Sequence, residues 1–197
     1  MTTIVTDGRT VAADTQVSCG NAIDSWGYHK IIVTEERVYA FAGDVAVFRP
    51  LIKWWEAGYH VRSLPVAPSN YKIEGLFWIF EGGKLLEINL ELPYPIEIYA
   101  PAAIGTGTRW ATGALKMKAT PAQAVRVAME CDTLSGGAVV EIELPPHLQL
   151  ASAEAKSPAK IAMPGRSRGG IIRAAKLSPE RRTEIAQSAA NKRWKKA

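Results

Sequence analysis

The run Leu76-Phe77-Trp78-Ile79-Phe80 is apolar at every position, and Gly82-Gly83 separates it from a second run, Leu85-Leu86-Glu87-Ile88. Two such runs around a short glycine turn read as a β-hairpin. Successive strand side chains point to opposite faces, so a strand without polar alternation must be covered on both. An open hairpin cannot supply that cover, whereas a sheet lying between a second sheet and a helix layer can. The fold must therefore be layered.

The rest of the chain supplies candidates for the other layers. Residues 3 to 19 read as two short strands joined by the Asp7-Gly8 turn, and residues 29 to 33 and 37 to 42 as a second pair joined through Thr34-Glu35-Glu36. Asp44 is placed to cap a helix from Val45 to Ala57, with Pro50 inside it and Gly58 as its stop. Pro93, Pro95 and Pro101 are expected to break the chain before a Gly105-Thr106-Gly107 loop. Helices follow from Thr108 to about Lys118 and from Pro121 to about Cys131, the second opened by a Thr120/Gln123 capping box. After Ser135-Gly136-Gly137, the last strand covers Ala138 to Ile142. Strands, then two adjacent helices, then a strand indicate an α+β domain rather than an alternating parallel sheet.

Charge divides the chain near residue 150. Twelve of the 24 Lys and Arg but only two of the 19 Asp and Glu fall from Lys156 onward, giving that part +10 and leaving residues 1 to 155 at −5. The expected organisation is a domain over 1–150, a flexible basic linker over 151–177 rich in Ala, Ser, Pro and Lys, and a basic helix over 178–197 started by Ser178-Pro179-Glu180. Such a tail calls for an anionic partner, either an acidic protein surface or nucleic acid. No apolar run approaches the ~20 residues of a membrane helix and no signal-like stretch opens the chain, so the expected location is the cytoplasm. Cys19 and Cys131 fit no metal spacing and are expected to be buried, reduced thiols. His29, His60 and His147 suggest neither metal nor triad, and no cofactor motif is present. The six tryptophans read mostly as packing residues.

The candidate chemistry lies at the start. A threonine hydroxyl needs an adjacent base, and the α-amino group of Thr2 becomes one once Met1 is removed. Its ordinary pKa, roughly 7.7–8.0, leaves free amine near neutral pH. Asp14 closes one apolar run and Lys30 opens another, which places both charges at strand ends. A fixed ammonium beside Thr2 lowers the pKa of its amine and hydroxyl, and an aspartate would hold that lysine in place.

The segments Thr2-Thr3-Ile4-Val5, Ala13-Asp14-Thr15-Gln16-Val17-Ser18-Cys19-Gly20-Asn21 and Gly27-Tyr28-His29-Lys30-Ile31 resemble the opening of proteasome β subunits. The bacterial HslV type is matched above all, in its Asp-x-Gln-x-x-x-Gly-Asn pattern and Asp-to-Lys spacing. Ala40-Phe41-Ala42-Gly43, Ala103-Ile104-Gly105-Thr106-Gly107, Ala111-x-Gly113-Ala114-Leu115 and Asp132-Thr133-Leu134-Ser135-Gly136-Gly137 follow in family order. The resemblance implies a four-layer αββα sandwich, the N-terminal-nucleophile hydrolase fold, carrying here a basic, partly helical C-terminal extension. It also implies threonine-type peptidase activity, with Thr2 as nucleophile, Asp14 and Lys30 tuning it, and the N–H of Gly43 facing the oxyanion. Asp132 and Ser135 would support the amine, and Thr106 stands where serine is common. By the same carry-over Val17, Tyr28, Ile32, Phe41, Val45 and Arg49 surround an apolar substrate pocket. The implied setting is homo-oligomeric rings cutting polypeptides fed by an ATP-dependent unfoldase, with no propeptide beyond Met1. Two other readings remain open: an amidase acting on small amides, and an inactive scaffold with a partner-docking or nucleic-acid-binding tail.

Overall fold

A computed structural model describes residues 2–19, 22–60, 64, 74–150, 178, 181 and 183. The chain divides into two units, Met1–Ala155 and Lys156–Ala197. In the second, the Ser178 hydroxyl accepts the Arg181 N–H at 3.4 Å. The linker and helix expected over 151–197 otherwise lie outside the described residues.

The first unit contains two main sheets. Strands β1 (Thr3–Thr6), β2 (Thr10–Asp14), β10 (Ala102–Gly105) and β11 (Val139–Glu143) form one, in the order β10-β1-β2-β11. Strands β5 (Ile31–Val33), β6 (Arg37–Gly43), β7 (Gly75–Glu81), β8 (Lys84–Asn89) and β9 (Leu92–Ile98) form the other in sequence order, and all the pairings are antiparallel. The short ribbon β3 (Val17–Cys19) and β4 (Ala22–Ser25) stands apart.

Side-chain alternation sets the layers. Ile4, Val11 and Ala13 of the first sheet meet Val38, Ala40, Trp78 and Phe80 of the second in one core. The intervening Val5 and Ala12 turn the other way, onto α2 (Thr108–Lys116) and α3 (Pro121–Cys131). Tyr39, Phe41, Phe77 and Ile79 face out from the second sheet onto Phe48, Leu51, Ile52, Trp54 and Trp55 of α1 (Val45–Glu56). Strand β7 thus contributes Trp78 and Phe80 to one core and Phe77 and Ile79 to another, which is why its sequence shows no polar alternation. The order is helices, sheet, sheet, helix. Among the described residues no helix is long and apolar enough to cross a membrane.

Helix ends follow the local chemistry. Asp44 caps α1 by accepting the Ala46 N–H, and Pro50 is tolerated inside that helix. Thr120 and Gln123 form the reciprocal capping box of α3. Thr120→Ala is expected to cost about 1 kcal/mol of stability, read from the denaturant midpoint at unchanged slope.

Four expectations need correction. Pro93 and Pro95 do not break the chain: they lie within β9, the edge of its sheet, where alternate N–H groups have no strand to pair with and proline costs no ladder bond. The second strand of residues 3–19 stops at Asp14, because Thr15 and Gln16 both turn their N–H groups to the Gly136 carbonyl (3.1 and 3.0 Å) and the chain restarts as β3. Cys19 and Cys131 are exposed, one closing the solvated β3–β4 ribbon and the other closing α3. Trp26 is 55% exposed, whereas Trp54, Trp55 and Trp78 are buried as expected.

Candidate active site

Polar residues from both sheets and from the end of α3 converge at unusual depth beside the start of β1. Thr2, Asp14, Lys30, Asp132 and Ser135 are all at least nine-tenths buried. A buried charge is tolerated only when paired and hydrogen-bonded, and Asp14 meets that condition with five donors. Its Oδ1 accepts from the Thr2 hydroxyl, from the Thr3 N–H at 2.8 Å and from Lys30 Nζ at 2.8 Å. Its Oδ2 accepts from the N–H groups of Gln16 (3.2 Å) and Gly136 (3.0 Å). One carboxylate oxygen therefore holds both the Thr2 hydroxyl and the Lys30 ammonium. Burial pushes the Lys30 pKa below its ordinary value, and the charges of Asp14 and Asp132, with the Asp14 hydrogen bond, partly offset that shift.

A second network approaches from the far end of α3. Asp132 Oδ2 accepts from the hydroxyls of Ser135 (2.7 Å) and Thr106 (2.5 Å), and Ser135 Oγ lies 2.7 Å from Thr3 Oγ1. The Thr106 N–H donates to the Thr2 carbonyl at 2.9 Å. These bonds reach Thr2 through its carbonyl and through Thr3. The positive φ of Gly105, +98°, suits glycine, and a Cβ there would stand 1.9 Å from the Thr2 carbonyl oxygen. The chain end is thus pressed against the β10 edge with no room for a side chain between them.

Thr2, Gln16, Val17, Lys30, Phe41, Gly43 and Val45 line one narrow cleft. Of the expected pocket residues, Val17, Phe41 and Val45 line it. Tyr28 stands behind the wall, its hydroxyl donating to the Val45 carbonyl at 3.3 Å, and Ile32 packs into the α1 core. Arg49 is exposed on α1 and does not line the cleft, because the helix carries it round toward solvent. Gly43 does line it, with an independent reason to be glycine: a Cβ would come within 2.5 Å of the Glu74 carbonyl oxygen and 2.8 Å of Gly75 Cα on the paired strand.

Two residues of the site carried no assigned role in the sequence. Gln16 lines the cleft and donates through Nε2 to Ser18 Oγ (2.9 Å) and the Thr133 carbonyl (3.1 Å); its signal was its place in the Asp-x-Gln run. Thr3 joins the two networks, and nothing in its sequence context distinguished it.

No protein-family model matches the chain, and no curated protein matches it. Solved structures do. The fold is similar to that of eukaryotic HslV from Trypanosoma brucei, with a TM-score of 0.55 and 20% identity over 73% of this chain and 99% of that one. It is also similar to that of Thiobacillus denitrificans BPH in complex with epoxomicin, with a TM-score of 0.58 and 20% identity over 74% of this chain and 99% of that one. At such identity the likeness is one of fold.

Proposed function

We propose that this chain, whose fold is similar to that of HslV, is a threonine-type endopeptidase subunit of a self-compartmentalising protease, with Thr2 as its nucleophile after Met1 is removed. One observation carries the reading: the Thr2 hydroxyl and Lys30 Nζ share a single oxygen of Asp14, beside a cleft that Gly43 also lines.

In this reaction the α-amine of Thr2 takes the hydroxyl proton as Oγ bonds to the substrate carbonyl carbon. The tetrahedral oxyanion forms toward the Gly43 N–H, a donor of a kind whose removal typically costs ~100- to 1000-fold in rate. Collapse breaks the C–N bond, and the α-ammonium returns its proton to the leaving amine. Water then attacks the ester with the amine again as base, and Thr2 is regenerated. Lys30 lowers the pKa of the nucleophile through its charge, and Asp14 orients it. Asp132, Ser135 and Thr106 position the chain end. Val17, Phe41 and Val45 select an apolar side chain for the cleft.

Ring assembly, an ATP-dependent unfoldase as partner and polypeptide substrates belong to the same proposal, and the motif resemblance supports them. The basic segment after residue 150 is proposed to dock on an acidic protein surface. Intact mass of the purified protein tests the chemistry directly, since Met1 should be absent. A retained Met1 blocks the base as an amide and overturns the mechanism. Sizing of the native particle tests the compartment, because a monomer or dimer encloses no chamber.

A further inference from the structure

The loop between β4 and β5 brings a large aromatic residue, Trp26, against the Gly136-Gly137 turn, next to the cleft-lining Gln16. Trp26 is 55% exposed, yet its backbone is fixed. The Thr15 hydroxyl donates to its carbonyl at 2.5 Å, and the Tyr28 N–H donates to the Thr15 carbonyl at 3.1 Å. Thr15 Oγ1 also accepts the Ala138 N–H at 2.8 Å, so the loop is tied to the Gly136-Gly137 turn. The indole edge rests on that turn: Trp26 Cζ3 is 3.2 Å, and Gln16 Oε1 2.2 Å, from where a Cβ on Gly136 would stand. Gln16 lines the cleft with Thr2, and the Gly136 N–H donates to Asp14. Trp26 therefore sits beside the cleft wall with much of its ring surface in water.

We propose that Trp26 is a specificity-determining residue whose open face takes an apolar, preferably aromatic, side chain of the polypeptide substrate, adjacent to the one seated in the cleft. The inference rests on the hydrolase reading above. With one substrate side chain directed at the cleft by that reading, neighbouring residues of an extended peptide are only ~3.3 Å further along, which brings the next ones close to its wall. An indole offers a broad apolar face at little cost in rotamer freedom, and its fixed backbone lowers that cost further. A purely structural role, covering Gly136 and its bond to Asp14, has a different consequence: all substrates would suffer alike when the ring is removed.

The test compares wild type, Trp26→Ala and Trp26→Glu on peptides carrying Phe, Gly or Lys in turn at each position within two residues of the cut. At one position the Phe-over-Gly ratio of kcat/KM should fall about three- to tenfold in Trp26→Ala, through KM rather than kcat. Trp26→Glu should gain for Lys at that same position. A ratio that holds within twofold at every position, with all peptides slowed equally, overturns the proposal. Should Trp26→Ala fail to fold, Trp26→Leu keeps an apolar cover over Gly136 and must still lose at least half of the preference. Calorimetric binding of the same peptides to Thr2→Ala and to Thr2→Ala/Trp26→Ala separates the two readings. If wild type cleaves nothing, the hydrolase reading falls, while a Phe preference that vanishes with Trp26 still upholds the inference and its absence sinks it.

Discussion

Thr2→Ala lowers kcat/KM on peptides by at least about 1000-fold, whereas Thr2→Ser stays within about tenfold of wild type. The first magnitude follows from covalent catalysis: without the attacking oxygen, only binding and oxyanion stabilisation remain. The loss reports chemistry rather than folding, because Asp14 Oδ1 keeps the Thr3 N–H and Lys30 Nζ, each at 2.8 Å, and the Thr2 carbonyl keeps the Thr106 N–H at 2.9 Å. Serine restores the hydroxyl but not the methyl. Thr2 Cγ2 stands 3.3 Å from the Cβ position of Gly105, so the methyl packs against β10, and its β-branch restricts χ1. A serine samples rotamers that turn Oγ away from Asp14, and the lost fraction appears as rate. Fluorogenic peptide kinetics, with thermal melts as the folding control, measure both variants. Comparable rates for Thr2→Ala and wild type would place the nucleophile elsewhere.

Legibility in the sequence tracked the range of the physics involved. Features decided within a few residues were readable: the two-sided burial of Leu76–Phe80, the Asp44 cap and the Thr120–Gln123 box each follow from a local pattern. Features decided by a neighbour far along the chain were not. Whether Pro93 and Pro95 end a strand depends on whether anything pairs beyond β9, and only the strand order answers that. The break after Asp14 is imposed by the Gly136 carbonyl, more than a hundred residues away. The cysteines were misjudged because apolar composition says nothing about which side of a ribbon or helix end meets solvent. At the site, family order placed Thr2, Lys30, Gly43, Val17, Phe41 and Val45 around one cleft. It could not anticipate that α1 turns Arg49 outward or that Gln16 closes the wall.

The heaviest loss of stability is expected from Asp14→Ala, about 3–5 kcal/mol near neutral pH, because it leaves Lys30 buried without its carboxylate and frees four further donors. Lys30→Met makes the informative contrast. It removes the charge, fills the same space with an apolar stem and leaves Asp14 with four of its five donors, so the expected cost is only about 1–2 kcal/mol. Both variants should nonetheless lose most activity, since each removes the ammonium from its place beside Thr2. The pH dependence of stability separates them further. Burial already lowers the Lys30 pKa in the folded state, and the negative charge of Asp14 is the main influence opposing that shift. Removing it lowers the folded value again while the unfolded value stays ordinary. Between the two values the unfolded chain binds more protons, so stability rises with pH across that window. The deficit of Asp14→Ala should therefore shrink as pH climbs toward the ordinary lysine range, as Lys30 sheds its proton inside the fold. Lys30→Met has no such group and should follow pH without that recovery. Denaturant unfolding at pH 7 and pH 9.5 reads the difference: a deficit that is constant or grows with pH would mean that the Asp14–Lys30 pair is not what holds this end of the chain in place.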